Sequence, residues 1–193
     1  MNQRLIYVMG PSGAGKDSVL GWLREQLPLH APVHWAVRTV TRPSQSGGEQ
    51  HETLDAAAFG QLLDDRQFAL AWEANGLSYG IRHQELEPLH HGDWVMVNGS
   101  RGYLEEAARR FPGMTVVHIT AQPTTLLKRL MARGRESECA VRQRIARAEA
   151  FDCPAGAIEV RNDGALEQAG RHLLRALQQL PGWAASQVLQ RKG

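Results

Sequence analysis

The chain has 193 residues, and its 22 Lys and Arg side chains nearly balance 20 Asp and Glu side chains, which leaves a formal net charge of +2. So small an excess excludes a long basic or acidic tail and gives no argument for nucleic-acid binding. No apolar run approaches the roughly 20 residues that a membrane span needs, so we expect neither nucleic acid nor a membrane as a partner.

Short apolar runs bounded by turn residues predict the strands of the chain. We predict five strands, at residues 5–9, 33–37, 94–97, 115–120 and 157–160. The first run ends abruptly at Gly10, so this strand leads into a glycine-rich turn. The polar segment 41–52 contains Pro43, Gly47 and Gly48 and predicts a loop.

Apolar residues at three- and four-residue spacing, flanked by cap and stop residues, predict the helices. We predict six, at residues 16–27, 55–66, 102–111, 123–133, 137–150 and 165–180. Strands that alternate with helices predict an α/β fold with a parallel sheet and helices on both faces. The stretch from about Thr39 to Gly92 breaks this alternation, and we expect it to form a small inserted lobe.

A phosphate-binding loop is the clearest motif of the sequence. Gly10 is followed after four residues by Gly15 and Lys16, directly behind a predicted strand and at the start of a predicted helix. Glycines let backbone N–H groups turn towards a phosphate, and the helix adds its positive N-terminal end. Lys16 supplies a point charge towards the β- and γ-phosphates. The motif predicts ATP binding by Gly10, Pro11, Ser12, Gly13, Ala14, Gly15, Lys16, Asp17 and Ser18.

One position departs from this motif, because Asp17 stands where a serine or threonine normally follows the lysine and contacts Mg²⁺. A carboxylate can still hold Mg²⁺, directly or through water. Beside a triphosphate its negative charge is tolerable only when a cation is bound. We therefore predict that Asp17 is the metal-binding residue and that the cofactors are ATP and Mg²⁺.

Segments along almost the whole chain together resemble the guanylate-kinase group. They are the loop of residues 10–16, Thr39-Val40-Thr41-Arg42-Pro43 with Gly47-Gly48-Glu49, Phe68 to Trp72-Glu73, Gly76-Leu77-Ser78-Tyr79-Gly80, Leu130 to Arg133-Gly134, Arg144 with Arg147-Ala148, and Asn162-Asp163. The resemblance implies a P-loop NTPase fold with one domain in three parts. These are a core (residues 1–38, 93–128 and 151–193), an acceptor lobe (about 39–92) and a helical lid (about 129–150). It also implies that Asn162 lies beside the adenine of ATP.

The departures from the guanylate kinases concern the acceptor. Their glutamate that reads guanine corresponds to Leu70, their second arginine in the loop before the lobe corresponds to Gln45, and an extra residue precedes Glu49. An apolar Leu70 cannot accept hydrogen bonds from guanine, and sites built on such bonds discriminate strongly. The acidic pair after the central strand becomes Asn98-Gly99-Ser100-Arg101.

This combination resembles the ribose 1,5-bisphosphate phosphokinases, guanylate-kinase-like enzymes of bacterial phosphonate breakdown. The resemblance implies transfer of the γ-phosphoryl group of ATP to the 1-phosphate of the sugar, which gives 5-phosphoribosyl 1-diphosphate. The acceptor is a phosphate oxygen that is already ionised near neutral pH, so the reaction needs no general base. It needs neutralisation of two mutually repelling anions, and arginine forks with Mg²⁺ supply that.

Arginines dominate the basic residues, since only Lys16, Lys128 and Lys192 are lysines. For the acceptor side we predict substrate binding by Arg38, Arg42, Tyr79, Ser100, Arg101 and Arg147. For the lid over ATP the candidates are Arg133, Arg135, Arg144 and Arg147, with Lys16, Arg42, Arg133 and Arg144 as catalytic residues. Solvated ion pairs with neighbouring glutamates are the competing reading of the lid arginines.

Cys139 and Cys153 are far apart in sequence, which predicts reduced thiols in a cytoplasmic protein and no metal or disulfide role. His51, His90 and His91 have no partners at metal-ligand spacing and are expected at the surface. We expect Trp72 and Trp94 to serve packing.

Three alternatives remain open at the level of sequence. The first is a nucleoside monophosphate kinase of the guanylate type. The second is a non-catalytic, peptide-binding module, against which the retained Lys16 argues. The third is RNA binding by residues 128–147, a segment without interleaved aromatic residues. The oligomeric state is also open, and a homodimer is possible.

Overall fold

The computed structural model of the chain describes residues 2–42, 51–134 and 137–183. Pro43, Gln45 and the Gly47-Gly48-Glu49 segment of the predicted lobe loop, and Arg135 of the predicted lid, lie outside the described residues. The chain divides into two compact units. The first comprises Met1–Val8 and His30–Thr115, and the second comprises Met9–Leu29 and Val116–Gly193.

Strands and helices alternate along the chain. The strands are β1 (Leu5–Met9), β2 (Val33–Trp35), β3 (Arg38–Val40), β4 (His51–Thr53), β5 (Phe68–Ala74), β6 (Leu77–Arg82), β7 (Trp94–Asn98), β8 (Thr115–Thr120) and β9 (Ile158–Arg161). The α-helices are α1 (Lys16–Gln26), α2 (Ala56–Asp64), α3 (Leu104–Arg110), α4 (Pro123–Arg133), α5 (Glu138–Glu149) and α6 (Leu166–Gln178). Short 3₁₀ helices cover Asn2–Arg4, His83–His91 and Arg101–Tyr103.

Five strands form the main sheet in the order β2-β7-β1-β8-β9. The strand pairs β1–β7, β2–β7 and β8–β9 are parallel. The central strands β1 and β7 are buried over their whole length, which explains their continuous apolar sequences. The predicted α/β fold with a parallel sheet is thus confirmed.

The first unit also contains a four-stranded sheet in the order β4-β3-β6-β5. Its β5–β6 hairpin turns at Asn75 and Gly76, which both have positive φ angles, the signature of a two-residue hairpin turn. Phe68 at the start of β5 stacks on Phe59 of α2 with ring centroids 4.7 Å apart. This contact packs the helix against the small sheet.

The second unit packs α6 along α1. Gly170 of α6 is buried against the indole ring of Trp22 on α1, where a Cβ atom would collide with the ring. Asp163 accepts a 2.7 Å hydrogen bond from the amide of Gln122, the residue that precedes α4. This bond satisfies a backbone donor next to the helix N-terminus.

The predicted strands and helices are all present, with differences at their ends. The predicted strand 33–37 stops at Trp35, because the amide of Val37 donates to the carboxylate of Glu85 instead of a strand neighbour. The predicted loop 41–52 overlaps β4, which begins at His51 and pairs with β3. The sequence analysis did not predict the hairpin strands β5 and β6. Among the described helices, none combines the length and apolar character of a membrane span.

Candidate active site

The glycine loop, residues 10–16, lies between β1 and α1 in the second unit. Gly15 caps the helix in a left-handed conformation with φ 80° and ψ 30°. A Cβ atom there would lie 2.5 Å from the side-chain nitrogen of Asn162, so both conformation and space require glycine. At Gly10 a Cβ atom would collide with the carbonyl group of Ile119. The two ends of the loop are therefore restricted to glycine by their neighbours.

Lys16 reaches back across the glycine loop, and its Nζ donates a 3.0 Å hydrogen bond to the carbonyl oxygen of Gly10. The positive charge thus lies at the N-terminal end of α1, the end of a helix that favours an anion. Asp17 and Ser18 follow on the exposed first turn. The arrangement fits a polyphosphate, and the exposed Asp17 carboxylate offers oxygen ligands of the kind that Mg²⁺ takes.

Three side chains from other segments donate hydrogen bonds to the glycine loop. Asn162 donates from Nδ2 to the carbonyl oxygen of Ala14 at 2.8 Å, and this contact is buried. Arg144 of α5 donates to Oγ of Ser12 at 2.8 Å. Arg129 of α4 donates to the carbonyl oxygen of Gly13 at 3.3 Å. The loop is thereby held in shape by α4, by α5 and by the segment that follows β9.

Arg129 was missed by the sequence reasoning, although it contacts the glycine loop directly. The available signal was its place on α4, one helical turn before Arg133. The structure places Arg133 on the exposed last turn of α4 and Arg147 on the exposed side of α5. The neighbouring Arg142 instead pairs with Glu138 at 2.6 Å on the solvated face of α5.

In the first unit, Arg38 and three aromatic rings form a stack. The Arg38 guanidinium lies 5.7 Å from the centroid of the Tyr79 ring, which stacks on Trp72 at 5.6 Å. Tyr103 stacks on Trp72 at 5.7 Å. The Arg38–Tyr79 contact orients the guanidinium over an aromatic face, an arrangement that arginine favours. The sequence predicted Arg38 and Tyr79, whereas it assigned Trp72 to packing and did not consider Tyr103.

Arg42 lies just beyond β3, where Thr41 still exchanges hydrogen bonds with Ser78 of β6. One Nη atom of Arg42 is 3.4 Å from Nε2 of His51. The buried Nε of Arg42 has no hydrogen-bond partner among the residues that the structure describes. A planar guanidinium with an N–H donor that no described protein group accepts is suited to bind a phosphate oxygen.

Ser100 and Arg101 follow the end of β7 in the same unit. The Tyr7 hydroxyl bonds the backbone of Ser100, and the half-buried Arg101 opens the next 3₁₀ helix. Burial raises the pKa of Tyr7 above its ordinary value, so the hydroxyl stays neutral. Leu70, which the sequence analysis matched to the guanine-reading glutamate of guanylate kinases, is fully buried in β5. The predicted acceptor residues outside the lid, Arg38, Arg42, Tyr79, Ser100 and Arg101, thus all belong to the first unit.

Comparisons with known proteins give relatives over most of the chain, although no protein-family model matches it. The ribose 1,5-bisphosphate phosphokinase PhnN of Thiobacillus denitrificans is 44% identical over 175 residues, which are 90% of this chain and 92% of the relative. The enzyme of the same name from Chromobacterium violaceum is 46% identical over 173 residues, 90% of this chain and 92% of the relative.

Among solved structures, guanylate kinase from Anaplasma phagocytophilum is similar with a TM-score of 0.62 and 21% identity. The similarity covers 91% of this chain and 86% of that one. At this identity it speaks for the fold alone, and it confirms the predicted P-loop NTPase fold of the guanylate-kinase type.

Proposed function

Because the chain belongs to the ribose 1,5-bisphosphate phosphokinase family, we propose that it transfers the γ-phosphoryl group of ATP to the 1-phosphate of ribose 1,5-bisphosphate. The products are ADP and 5-phosphoribosyl 1-diphosphate. The observation that carries this proposal is the presence in one chain of a glycine loop with its Lys16 and of arginine-rich acceptor candidates, with the buried, apolar Leu70 at the position matched to the guanine reader.

On the ATP side, we assign phosphate binding to the backbone of the glycine loop and to Lys16. The 2.8 Å hydrogen bond to Ser12 supports a role for Arg144 at the phosphates. Arg133 completes this set as a residue of the closing lid. Asn162, which holds Ala14, orients the loop and lies at the segment assigned to adenine.

The residues present also fit Mg²⁺, and Asp17 is the one that we assign to hold it, directly or through water. When bound, Mg²⁺ neutralises charge on the β- and γ-phosphates. The carboxylate stands in the first turn of α1, next to the glycine loop. Asp17 thus supplies the oxygen ligand that a serine or threonine supplies in the general motif.

On the acceptor side, a sugar with two phosphates needs cationic hydrogen-bond donors for the phosphate at each end. Arg38, Arg42 and Arg101 supply guanidinium donors, while Ser100 and Tyr79 supply hydroxyl groups. The stacking of Arg38 on Tyr79 supports this assignment, because the cation–π contact orients the guanidinium. In this proposal Arg147 of α5 is the lid residue that binds the acceptor.

No residue needs to act as a base in this reaction. The attacking atom is a 1-phosphate oxygen that is already ionised near neutral pH, since the second pKa of a phosphate ester is about 6. The protein's task is to bring two anions together in line and to exclude water, which arginine donors and a closing lid accomplish. The catalytic residues we propose are therefore cationic: Lys16, Arg42, Arg133 and Arg144.

In this proposal the domain has a core (residues 1–38, 93–128 and 151–193), an acceptor lobe (about 39–92) and a lid (about 129–150). We also propose a cytoplasmic location, which suits the two cysteines, both free in the structure. Nucleic acid and membranes have no part in it.

The test is a phosphorus NMR assay with ATP, Mg²⁺ and either ribose 1,5-bisphosphate or GMP. We expect a new diphosphate signal on the sugar and formation of ADP, with no comparable GMP turnover. Rapid GMP phosphorylation without sugar turnover would show a guanylate-type kinase instead. The Lys16→Met variant serves as the background control, because turnover by a contaminating kinase would be the same in both preparations.

A further inference from the structure

A cavity of about 410 Å³ lies in the second unit, and none of its lining residues belongs to the glycine loop. Its wall is formed by the ends of β8 and β9, the start of α4 and the segment after α5. The lining includes the imidazole of His118, the thiol of Cys153 and several carboxylates, one of which is that of Glu159. None of these three side chains has a role in the proposed phosphoryl transfer.

The ligand atoms of these three residues converge. One ring nitrogen of His118, Sγ of Cys153 and one carboxylate oxygen of Glu159 all lie within 4.8 Å of one another. His118 and Glu159 are register partners on the parallel strands β8 and β9, so their side chains emerge on the same face of the sheet. Cys153 comes from the segment that returns from α5 to β9.

We propose that His118, Cys153 and Glu159 bind a divalent cation of the Zn²⁺ type. Imidazole, thiolate and carboxylate are the three side-chain ligands that Zn²⁺ takes in proteins, whereas Mg²⁺ prefers oxygen alone. A thiolate and a carboxylate carry two negative charges, which a dication neutralises when the imidazole is neutral. This site is separate from the proposed Mg²⁺ position at Asp17.

The geometry needs only a small contraction around the ion. Tetrahedral Zn²⁺ with bonds of about 2.0–2.3 Å holds its ligand atoms roughly 3.5 Å apart. The buried His118 provides a fixed point, held beside the Phe151 ring at 5.4 Å. Glu159 is exposed, and its 3.2 Å pair with Arg161 is a solvated ion pair of the weak kind. Its carboxylate can therefore turn towards the ion at little cost.

Three protein ligands leave the fourth position of the ion open to the cavity, where water or a small ligand completes the coordination. The ion would also connect β8 and β9 to the chain segment behind α5. Because only the folded chain brings the three ligands together, binding stabilises the folded state. We therefore expect Zn²⁺ to raise the melting temperature of the protein.

The test uses Co²⁺ as a spectroscopic substitute for Zn²⁺ in the full chain, after removal of metals with a chelator. A bound thiolate gives an intense sulfur-to-Co²⁺ absorption band in the near ultraviolet, which Co²⁺ at Asp17 or on a nucleotide cannot give. The chain has only two cysteines. We expect the chain to bind one equivalent of Co²⁺ and to show this band. The band should be lost in Cys153→Ser and retained in Cys139→Ser. Added Zn²⁺ should displace Co²⁺ and remove the band.

The other two ligands are tested by affinity. His118→Gln should weaken Co²⁺ binding at least tenfold, while His172→Gln, a change at an exposed position on α6, should not. Glu159→Gln should also weaken it, and Arg161→Gln should leave it intact or strengthen it, because Arg161 competes for Glu159. These two exposed positions keep the test valid if a buried variant fails to fold.

Absence of the sulfur band in the wild-type chain would overturn the proposal. So would a band that persists in Cys153→Ser or disappears in Cys139→Ser. Equal Co²⁺ affinities of wild type and Glu159→Gln would remove Glu159 from the ligand set and contradict the site as proposed.

Discussion

The hydroxyl group of Tyr7 donates a 2.8 Å hydrogen bond to the carbonyl oxygen of Ser100 and accepts a 2.9 Å hydrogen bond from the Ser100 amide. A single side chain on β1 thereby satisfies both backbone groups of the residue that precedes Arg101. Gly99 lies so close to the Tyr7 ring that a Cβ atom would collide with it. Tyr7 thus determines the path of the chain where β7 leads into the proposed acceptor site.

Tyr7→Phe should lower both stability and acceptor binding. The change keeps the ring but leaves the amide and the carbonyl of Ser100 without this partner, at a cost of about 1–3 kcal/mol. We expect KM for the sugar bisphosphate to rise more than KM for ATP. Thermal melting and steady-state kinetics measure the two effects. Tyr103→Phe is the matched control, and equal behaviour of the two variants would contradict the positioning role.

Lys16→Met should abolish most of the activity and leave the fold intact. Lys16 is half-exposed, so its loss costs little packing, but it removes the positive charge proposed for the transferred phosphoryl group. We expect kcat to fall roughly 10²–10³-fold, as for the loss of a donor that stabilises transition-state charge. Lys128→Met, on the exposed face of α4, should retain wild-type kcat. A similar loss in both variants would indicate unfolding instead.

Asn162→Asp should weaken ATP binding. The amide donor to Ala14 is replaced by a carboxylate that repels both this carbonyl oxygen and the triphosphate. We expect KM for ATP to rise about tenfold, which corresponds to about 1.4 kcal/mol. The equivalent amide-to-carboxylate change Gln168→Glu, at an exposed position on α6, is the control. An unchanged KM for ATP in Asn162→Asp would refute the role of this amide.

Asp17→Ala should raise the Mg²⁺ concentration needed for half-maximal rate, because a carboxylate oxygen is removed from the proposed metal position. Asp17→Ser should recover part of the loss, since serine is the usual residue of the motif. Glu25→Gln, at the exposed far end of the same helix, tests whether net charge alone explains the result. Mg²⁺ titrations of initial rate at fixed ATP measure this. If both Asp17 variants behave like wild type, Asp17 does not hold the metal.

Two glycine-to-alanine changes in packed helices should have opposite effects on stability. Gly170→Ala places a methyl group into the Trp22 ring and should cost about 1–3 kcal/mol through overpacking. Gly21→Ala on α1 meets no atom within 4 Å and should stabilise the helix by roughly 0.5–1 kcal/mol. Urea denaturation of the two variants measures both free energies. Stabilisation by Gly170→Ala would show that α1 and α6 are less closely packed than described.

Local features of the sequence predicted the helices and the glycine loop well. Asp55 and Ser137 were expected at helix starts, and each accepts a hydrogen bond from the amide three residues later, at 2.7 Å and 3.3 Å. These features are short-range, because capping and loop geometry depend on residues a few positions apart. The Asn75-Gly76 turn carried an equally local hairpin signal that the sequence analysis did not use.

The sequence by itself determined the position of the glycine loop and predicted its phosphate-binding chemistry, because Gly15, Lys16 and the helix start are contiguous. It also predicted that the apolar Leu70 stands at the position of the guanine-reading glutamate. Only the tertiary structure decided that Arg129 supports the loop and that His118, Cys153 and Glu159 converge. These contacts depend on strand register and helix packing between distant segments, and a one-residue shift of β9 against β8 would turn Glu159 to the other face.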